Sequence, residues 1–270
     1  MRRLRTSKRP TGRGYRERRR FRVGREARVR DLLGPDSTGV RQSLVALGFS
    51  SLTAVVAGGL LAAMTGTLER YPGLLVLVPA AIGMRGNIFG ALGSRLATSI
   101  HAGTFRISRR PETLVMQNVI ASGVLSLVTA VALAVLTKTL SPIFGLDSVI
   151  AISDLLVLSA VGALLSFLVL TAVTLAMAAR SAQRGWDLDD VNAPLVSAVG
   201  DVVTLPALLV ASLLLEIDPL TKTLAVVLVV ATGISLWWVR RTLLSVMRQV
   251  LIESLPILFA TGILLSLIHI

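Results

Sequence analysis

The sequence predicts an all-α protein that crosses a membrane several times, a polytopic helical bundle. Two observations predict it. Of the 270 residues, 53% are apolar and only 16% are charged, and the mean hydropathy is +0.75. Several apolar runs also reach the roughly 20 residues that a helix rising about 1.5 Å per residue needs to cross a hydrocarbon layer about 30 Å thick. Inside that layer such segments must satisfy their own backbone hydrogen bonds, which makes them helices.

Seven such runs follow one another along the chain, and we number them as the first to seventh predicted spans. They are 43–66, 72–100, 113–138, 150–179, 192–215, 220–239 and 250–270. The sequence contains no cysteine, which excludes disulfides and thiolate metal sites.

Residues 1–40 are predicted to form a disordered basic tail. Of the 28 Lys and Arg residues in the chain, 14 lie within residues 1–30, beside only Glu17 and Glu26. Most of the formal charge of +13 therefore lies in this tail, and the rest of the chain is nearly neutral. A polar, turn-rich segment of this kind does not bury a core. We expect it to contact anionic lipid on the cytoplasmic side rather than nucleic acid, and it lacks the apolar core of a signal peptide.

The loop charges predict a cytoplasmic amino terminus. With the tail inside, the inner loops carry eight arginines and the outer loops carry three basic residues, which is the positive-inside asymmetry. The inner residues are Arg106, Arg109, Arg110, Arg180, Arg184, Arg240, Arg241 and Arg248, and the outer ones are Arg70, Lys138 and Lys222.

Small and polar residues form a stripe in the second predicted span. Gly83, Gly86, Asn87, Gly90 and Ser94 recur every three or four residues, so they share one helix face. Such a stripe permits close packing between helices. It also fits a solute pathway, because an amide oxygen such as that of Asn87 is a hard ligand suited to hydrated Mg²⁺ or Ca²⁺. Both interpretations remain open from the spacing alone.

The fifth predicted span contains Asp201, the acid that lies deepest in an apolar run. It follows the start of the span at Asn192 by nine residues, or about 14 Å of helical rise, which predicts a position near the bilayer midplane. Ser197 and Thr204 share its face and complete a column of three oxygen-bearing side chains. Mg²⁺ keeps most of its water and is typically held by one or two carboxylates. The alternatives for Asp201 are a structural pair with an arginine of the second span, Arg85 or Arg95, and a proton relay.

These two stretches carry a family resemblance. Residues 79–98 read Pro-Ala-Ala-Ile-Gly-Met-Arg-Gly-Asn-Ile-Phe-Gly-Ala-Leu-Gly-Ser-Arg-Leu-Ala-Thr, and residues 197–205 read Ser-Ala-Val-Gly-Asp-Val-Val-Thr-Leu. Together they resemble the transmembrane domain of the MgtE-type magnesium transporters. The resemblance is closest to the branch that includes the eukaryotic solute-carrier magnesium transporters, and in element order it covers residues 40–216.

The resemblance implies roles for individual residues. The Gly-Asn helix and the Asp helix of the family line the cation path, so Asp201 is expected at the central magnesium site and Gly86 and Asn87 beside it. With Ser197 and Thr204, these residues form our predicted metal site. Bacterial members carry an acidic cytoplasmic sensor domain before the membrane part, where this sequence has a basic tail. Regulation through such a domain is therefore not expected.

The resemblance also implies a pore between two five-helix units related by a two-fold axis normal to the membrane. We assign residues 41–216 to one such unit and 217–246 to a linking transmembrane helix. Residues 247–270 then begin a second repeat or add a further helix, because 248–251 repeat part of the pattern of 41–44. The chain is expected to act as a homodimer or with a partner half-transporter.

The sequence thus predicts a transporter of Mg²⁺ in the cell membrane, with other divalent cations as further candidate substrates. Mg²⁺ is the cargo, and no cofactor is expected. We find no phosphate-binding Gly-Lys-Ser/Thr loop and no nucleophile–His constellation, so an enzyme is not predicted. Two alternatives remain: a carrier for a different solute, such as a proton-coupled small-molecule exporter, and a non-transporting half-subunit that completes a partner's pore.

Overall fold

A computed structural model describes residues 37–108, 110–144, 150–184, 188–216, 218–242 and 244–268. The predicted basic tail, apart from its last four residues, and Arg109 of the first inner loop lie outside these ranges. Residues Thr38–Ile270 form one compact unit.

The described residues form eight α-helices and no strand, which confirms the all-α prediction. The helices are α1 (Ser37–Ala63), α2 (Thr65–Arg70), α3 (Leu74–His101), α4 (Leu114–Leu140), α5 (Ile152–Arg184), α6 (Leu188–Leu213), α7 (Asp218–Arg241) and α8 (Ser245–Ile268). Short 3₁₀ turns follow α4 at Ser141–Phe144 and α6 at Leu214–Glu216.

Six of these helices, α3 to α8, are long and apolar enough to cross a membrane. They correspond to the second to seventh predicted spans, and together they make the chain a multi-pass membrane protein. The first predicted span corresponds to α1, whose described apolar part is the 17-residue stretch Leu47–Ala63. Its large side chains, such as Leu52 and Val55, are exposed, so α1 lies at the edge of the bundle.

Helices α3 to α6 pack around a shared core. Phe89 of α3 and Phe167 of α5 lie with ring centroids 6.1 Å apart. Ser159 of α5 donates a hydrogen bond to the Ala130 carbonyl of α4, at 2.8 Å. A buried hydroxyl in hydrocarbon needs such a partner, so this bond helps fix the register of two helices that are otherwise held by apolar contact. The core places α3 in contact with α4, α5, α6 and α8.

Helix α8 also packs against α3. Arg95 Nη2 donates to Ser254 Oγ at 2.9 Å, and a Cβ built on Gly262 would lie 2.9 Å from Met84 Cε. Both contacts join α8 to α3 of the same chain. The seventh predicted span is therefore a member of this bundle.

Candidate functional site

Helices α3 and α6 meet along a seam of small residues. Asn192 Nδ2 donates to the Gly90 carbonyl at 3.1 Å, and a Cβ built on Gly93 would lie only 2.0 Å from the Asn192 amide. Further along, a Cβ on Gly86 would lie 3.8 Å from Ser197 Oγ. Glycine is therefore required at position 93 by the close approach of Asn192, while position 86 has room for one methyl group.

These contacts fix the relative heights of the predicted ligands. Gly93 faces Asn192 and Gly86 faces Ser197, so the two helices are antiparallel. By this register Asp201 lies about one turn of α3 beyond Gly86, and Asn87 lies about 7 Å from it along the helix axis at about 1.5 Å per residue. An ion that keeps its water shell can contact both side chains across this separation.

The five predicted ligands differ in exposure. Asn87 and Ser197 are exposed, whereas Gly86 and Asp201 are half-buried. Thr204 is fully buried, and its Oγ1 has no hydrogen-bond partner. Four of the five are thus at least partly accessible, whereas Thr204 is packed against its neighbours.

The arginines of the second predicted span contact other groups. Arg85 is 5% exposed, and its Nη2 would lie 3.6 Å from a Cβ built on Gly162 of α5. Its Nη1 has no hydrogen-bond partner. Arg95 donates to Ser254 of α8. Among the described residues, these contacts join Arg85 to α5 and Arg95 to α8, and neither contact involves Asp201. The structural pair between Asp201 and an arginine stays a prediction.

Sequence reasoning missed two residues that build the seam, Asn192 and Gly93. Asn192 marks the predicted start of a span, and Gly93 lies next to Ser94 but is not part of the predicted stripe. Spacing along one helix cannot show which glycine faces an amide on another helix. An amide near the end of an apolar run, opposite a glycine-rich run, is the signal that could have suggested the contact.

We next asked whether several side chains cluster to bind a metal ion directly, without intervening water. Within the described ranges, no group of three or more His, Cys, Asp or Glu side chains is arranged to hold a metal ion. One carboxylate with amide and hydroxyl oxygens in a membrane span instead suits a hydrated divalent cation that passes through.

The fold and this seam define a class, the polytopic helical membrane proteins that have polar residues on an intramembrane face. Residues 78–211 match the model of one family within that class, MgtE, described as divalent cation transporter. The chain therefore carries an MgtE divalent cation transporter domain. This domain covers α3 to α6 except their outermost residues, and so includes the whole seam. No curated protein and no solved structure matches the chain.

Proposed function

We propose that the chain transports Mg²⁺, with the hydrated ion held near the bilayer midplane by Asp201. One observation carries the proposal: Asn87 and Ser197 are exposed and Asp201 is half-buried, and all three lie inside the domain matched by the family model. An exposed amide and a half-buried carboxylate within a membrane span are costly unless they line a water-filled path. The family description supports divalent cation transport, and the choice of Mg²⁺ rests on this oxygen-only set of side chains.

In this proposal the ion keeps water between itself and most of the protein. Asp201 attracts the charge, while Asn87, Ser197 and the backbone at Gly86 contact the water shell about one helical turn away. Thr204 is buried, and we rank it behind the other four as a contact to the ion. Its hydroxyl, without a partner in the described structure, lies one turn from Asp201 on the same helix.

We further propose that two copies of the chain enclose the path. The exposed polar face needs either water or a second polar face opposite it, and a two-fold axis supplies the second face without another gene product. The amino terminus is proposed to be cytoplasmic, in the cell membrane, because that orientation places more basic loop residues inside.

A liposome flux assay tests the proposal and separates its alternatives. Purified chain is reconstituted alone, and Mg²⁺ entry is followed with an enclosed fluorescent indicator. We expect Mg²⁺ entry above that of protein-free vesicles, and the assay is run with and without an ion gradient. An absence of flux from correctly inserted dimers would support the half-subunit alternative, and proton-driven movement of an organic solute without Mg²⁺ flux would support the exporter alternative.

A further inference from the structure

Cavities along α7 and α8 form a cleft that extends into the bundle, and none of the predicted metal-site residues lines it. At the surface, a cavity of about 410 Å³ is lined by polar residues including Arg248, Gln249 and Glu253. Next to it, a cavity of about 350 Å³ is lined by Arg240 and Arg248 together with apolar side chains such as Leu251. The two cavities adjoin, because Arg248 and Ile252 line both.

The cleft continues as an apolar groove. Leu236 lines both the 350 Å³ cavity and a third cavity of about 480 Å³. The other walls of the third cavity come from α3, α4, α7 and α8 and are almost entirely apolar. From Arg248 to Gly262 the cleft follows α8 for 14 residues, or about 20 Å, which exceeds the depth of about 15 Å of one leaflet. An occupant with a long apolar tail therefore fits this groove better than a small solute.

The polar end of the cleft carries the charge that an anionic head group needs. Arg240 and Arg248 line it from the two helices. Arg241 stacks over the Trp237 ring at 5.4 Å, and the exposed rings of Trp237 and Trp238 are typical of the membrane interface. Glu253 is the opposing charge, and its Oε1 accepts a hydrogen bond from Gln249 Nε2 at 2.8 Å. The two arginines outnumber this one carboxylate, so the mouth keeps a positive balance.

We propose that the α7–α8 cleft binds one anionic glycerophospholipid, with its phosphate between Arg240 and Arg248 and one acyl chain along the groove to Gly262. Basic pockets between transmembrane helices bind anionic lipid head groups in this way. The proposal does not depend on the transport proposal, because no residue that lines the three cavities belongs to the predicted metal site or makes the contacts between α3 and α6.

Native mass spectrometry of the delipidated full chain tests the head-group contact. Phosphatidylglycerol and phosphatidylcholine with the same acyl chains are titrated separately, and glycerol 3-phosphate serves as the free head group. We expect one tightly bound phosphatidylglycerol per chain, weaker phosphatidylcholine binding and no binding of glycerol 3-phosphate at the same concentration. The double variant Arg240→Gln/Arg248→Gln should bind phosphatidylglycerol about thirtyfold more weakly, since each arginine near the surface contributes about fivefold.

A matched charge control is Arg106→Gln/Arg180→Gln, which removes two exposed arginines that do not line the cleft. This control should leave the tight site intact. Equal losses in the two double variants, or equal binding of phosphatidylglycerol and phosphatidylcholine to the unmodified chain, would overturn the proposal. Tight binding of glycerol 3-phosphate would show a free-anion site and would overturn the lipid assignment.

The acyl groove has its own test, which holds even if the arginine variant fails to fold. A Cβ on Gly233, which lines the groove, meets no atom within 4 Å, so Gly233→Phe fills the groove without a clash at the backbone. We expect at least about tenfold weaker phosphatidylglycerol binding. Gly59→Phe on α1, which is equally open at its Cβ, should bind like the unmodified chain. If Gly233→Phe instead dissociates dimers and leaves lipid binding unchanged, a second copy of the chain occupies the groove and the proposal is wrong.

Discussion

At the scale of single residues, the contact between Gly93 and Asn192 explains why the α3–α6 seam can form. The Asn192 amide lies where the Cβ of any larger residue at 93 would stand, and it donates to the Gly90 carbonyl. An amide in hydrocarbon needs such a partner. The seam is thus held by a specific hydrogen bond as well as by close packing.

Gly93→Ala should therefore destabilise the protein. The new methyl group must displace Asn192 and break its hydrogen bond, at a cost of about 1–3 kcal/mol, which is the usual range for a buried polar group that loses its partner. Thermal unfolding in detergent, followed by tryptophan fluorescence, measures the effect. Gly59→Ala, with an open Cβ position, is the control and should not lower the melting temperature.

The double variant Gly93→Ala/Asn192→Ala sharpens this test. Removing the amide removes the clash, so the two changes together should destabilise less than the sum of the single changes. Strict additivity would contradict the assigned contact.

At the scale of the helices, the apolar runs predicted which segments form helices but not where the helices end. The fourth predicted span stops at 179, whereas α5 continues to Arg184, and the fifth begins at 192, whereas α6 begins at Leu188. The apolar run reflects the thickness of the hydrocarbon layer, while the helix continues as long as its backbone hydrogen bonds form. The sequence therefore predicts the membrane-crossing part of each helix more accurately than the residues at which the helix begins and ends.

For the candidate site, too, the sequence predicted some features and could not predict others. The oxygen-bearing residues could be found from the sequence, since Asn87 and Asp201 are unusual within apolar runs. The register between α3 and α6 could not, because it depends on which glycine meets Asn192. Nor could helical spacing show that Thr204 is buried while Ser197 is exposed, because neighbouring helices determine which part of a face is covered.

The length of the side chain at position 86 tests whether the stripe on α3 borders the cation path. A Cβ there would lie 3.8 Å from Ser197 Oγ, an ordinary contact distance, so Gly86→Ala should retain most Mg²⁺ flux. Gly86→Leu extends toward Ser197 and should block transport or assembly. Flux into liposomes and size-exclusion profiles distinguish the two effects. A fully active Gly86→Leu protein would show that this face of α3 borders neither the path nor a helix interface.

At the scale of the whole molecule, the proposed dimer brings the Asn87 faces of two chains together. The natural sequence has no cysteine, so a single introduced thiol reports on one position. Asn87→Cys should give cross-linked dimers with a short bis-maleimide in native membranes, because residues near a two-fold axis meet their own copies. Leu168→Cys, which is 64% exposed on α5, is the control and should cross-link less. The reverse ranking would place the interface elsewhere.

The basic tail should be dispensable for transport. Deleting residues 1–30 removes 14 basic residues, but the inner loops keep more arginines than the outer loops, so orientation should persist. Mg²⁺ flux should persist with it, while binding to anionic vesicles should weaken by an amount that decreases as salt increases. Loop-cysteine accessibility measured beside flux checks both points. Loss of flux by a correctly inserted truncation would give the tail a role in transport.

The central claim is that the carboxylate of Asp201 holds the transported cation. Its most direct test is Mg²⁺ flux through Asp201→Asn and unmodified protein in matched liposomes, because the amide keeps the shape of the side chain and removes its charge. Groups that contact a metal through its water or ligands typically change affinity or activity by about 10- to 100-fold. We predict a flux loss of at least that size with an unchanged elution profile and helix content. The control Asp154→Asn, in the first turn of α5, should retain flux. Equal Mg²⁺ flux and equal Mg²⁺ dependence in Asp201→Asn and the unmodified protein would contradict the claim.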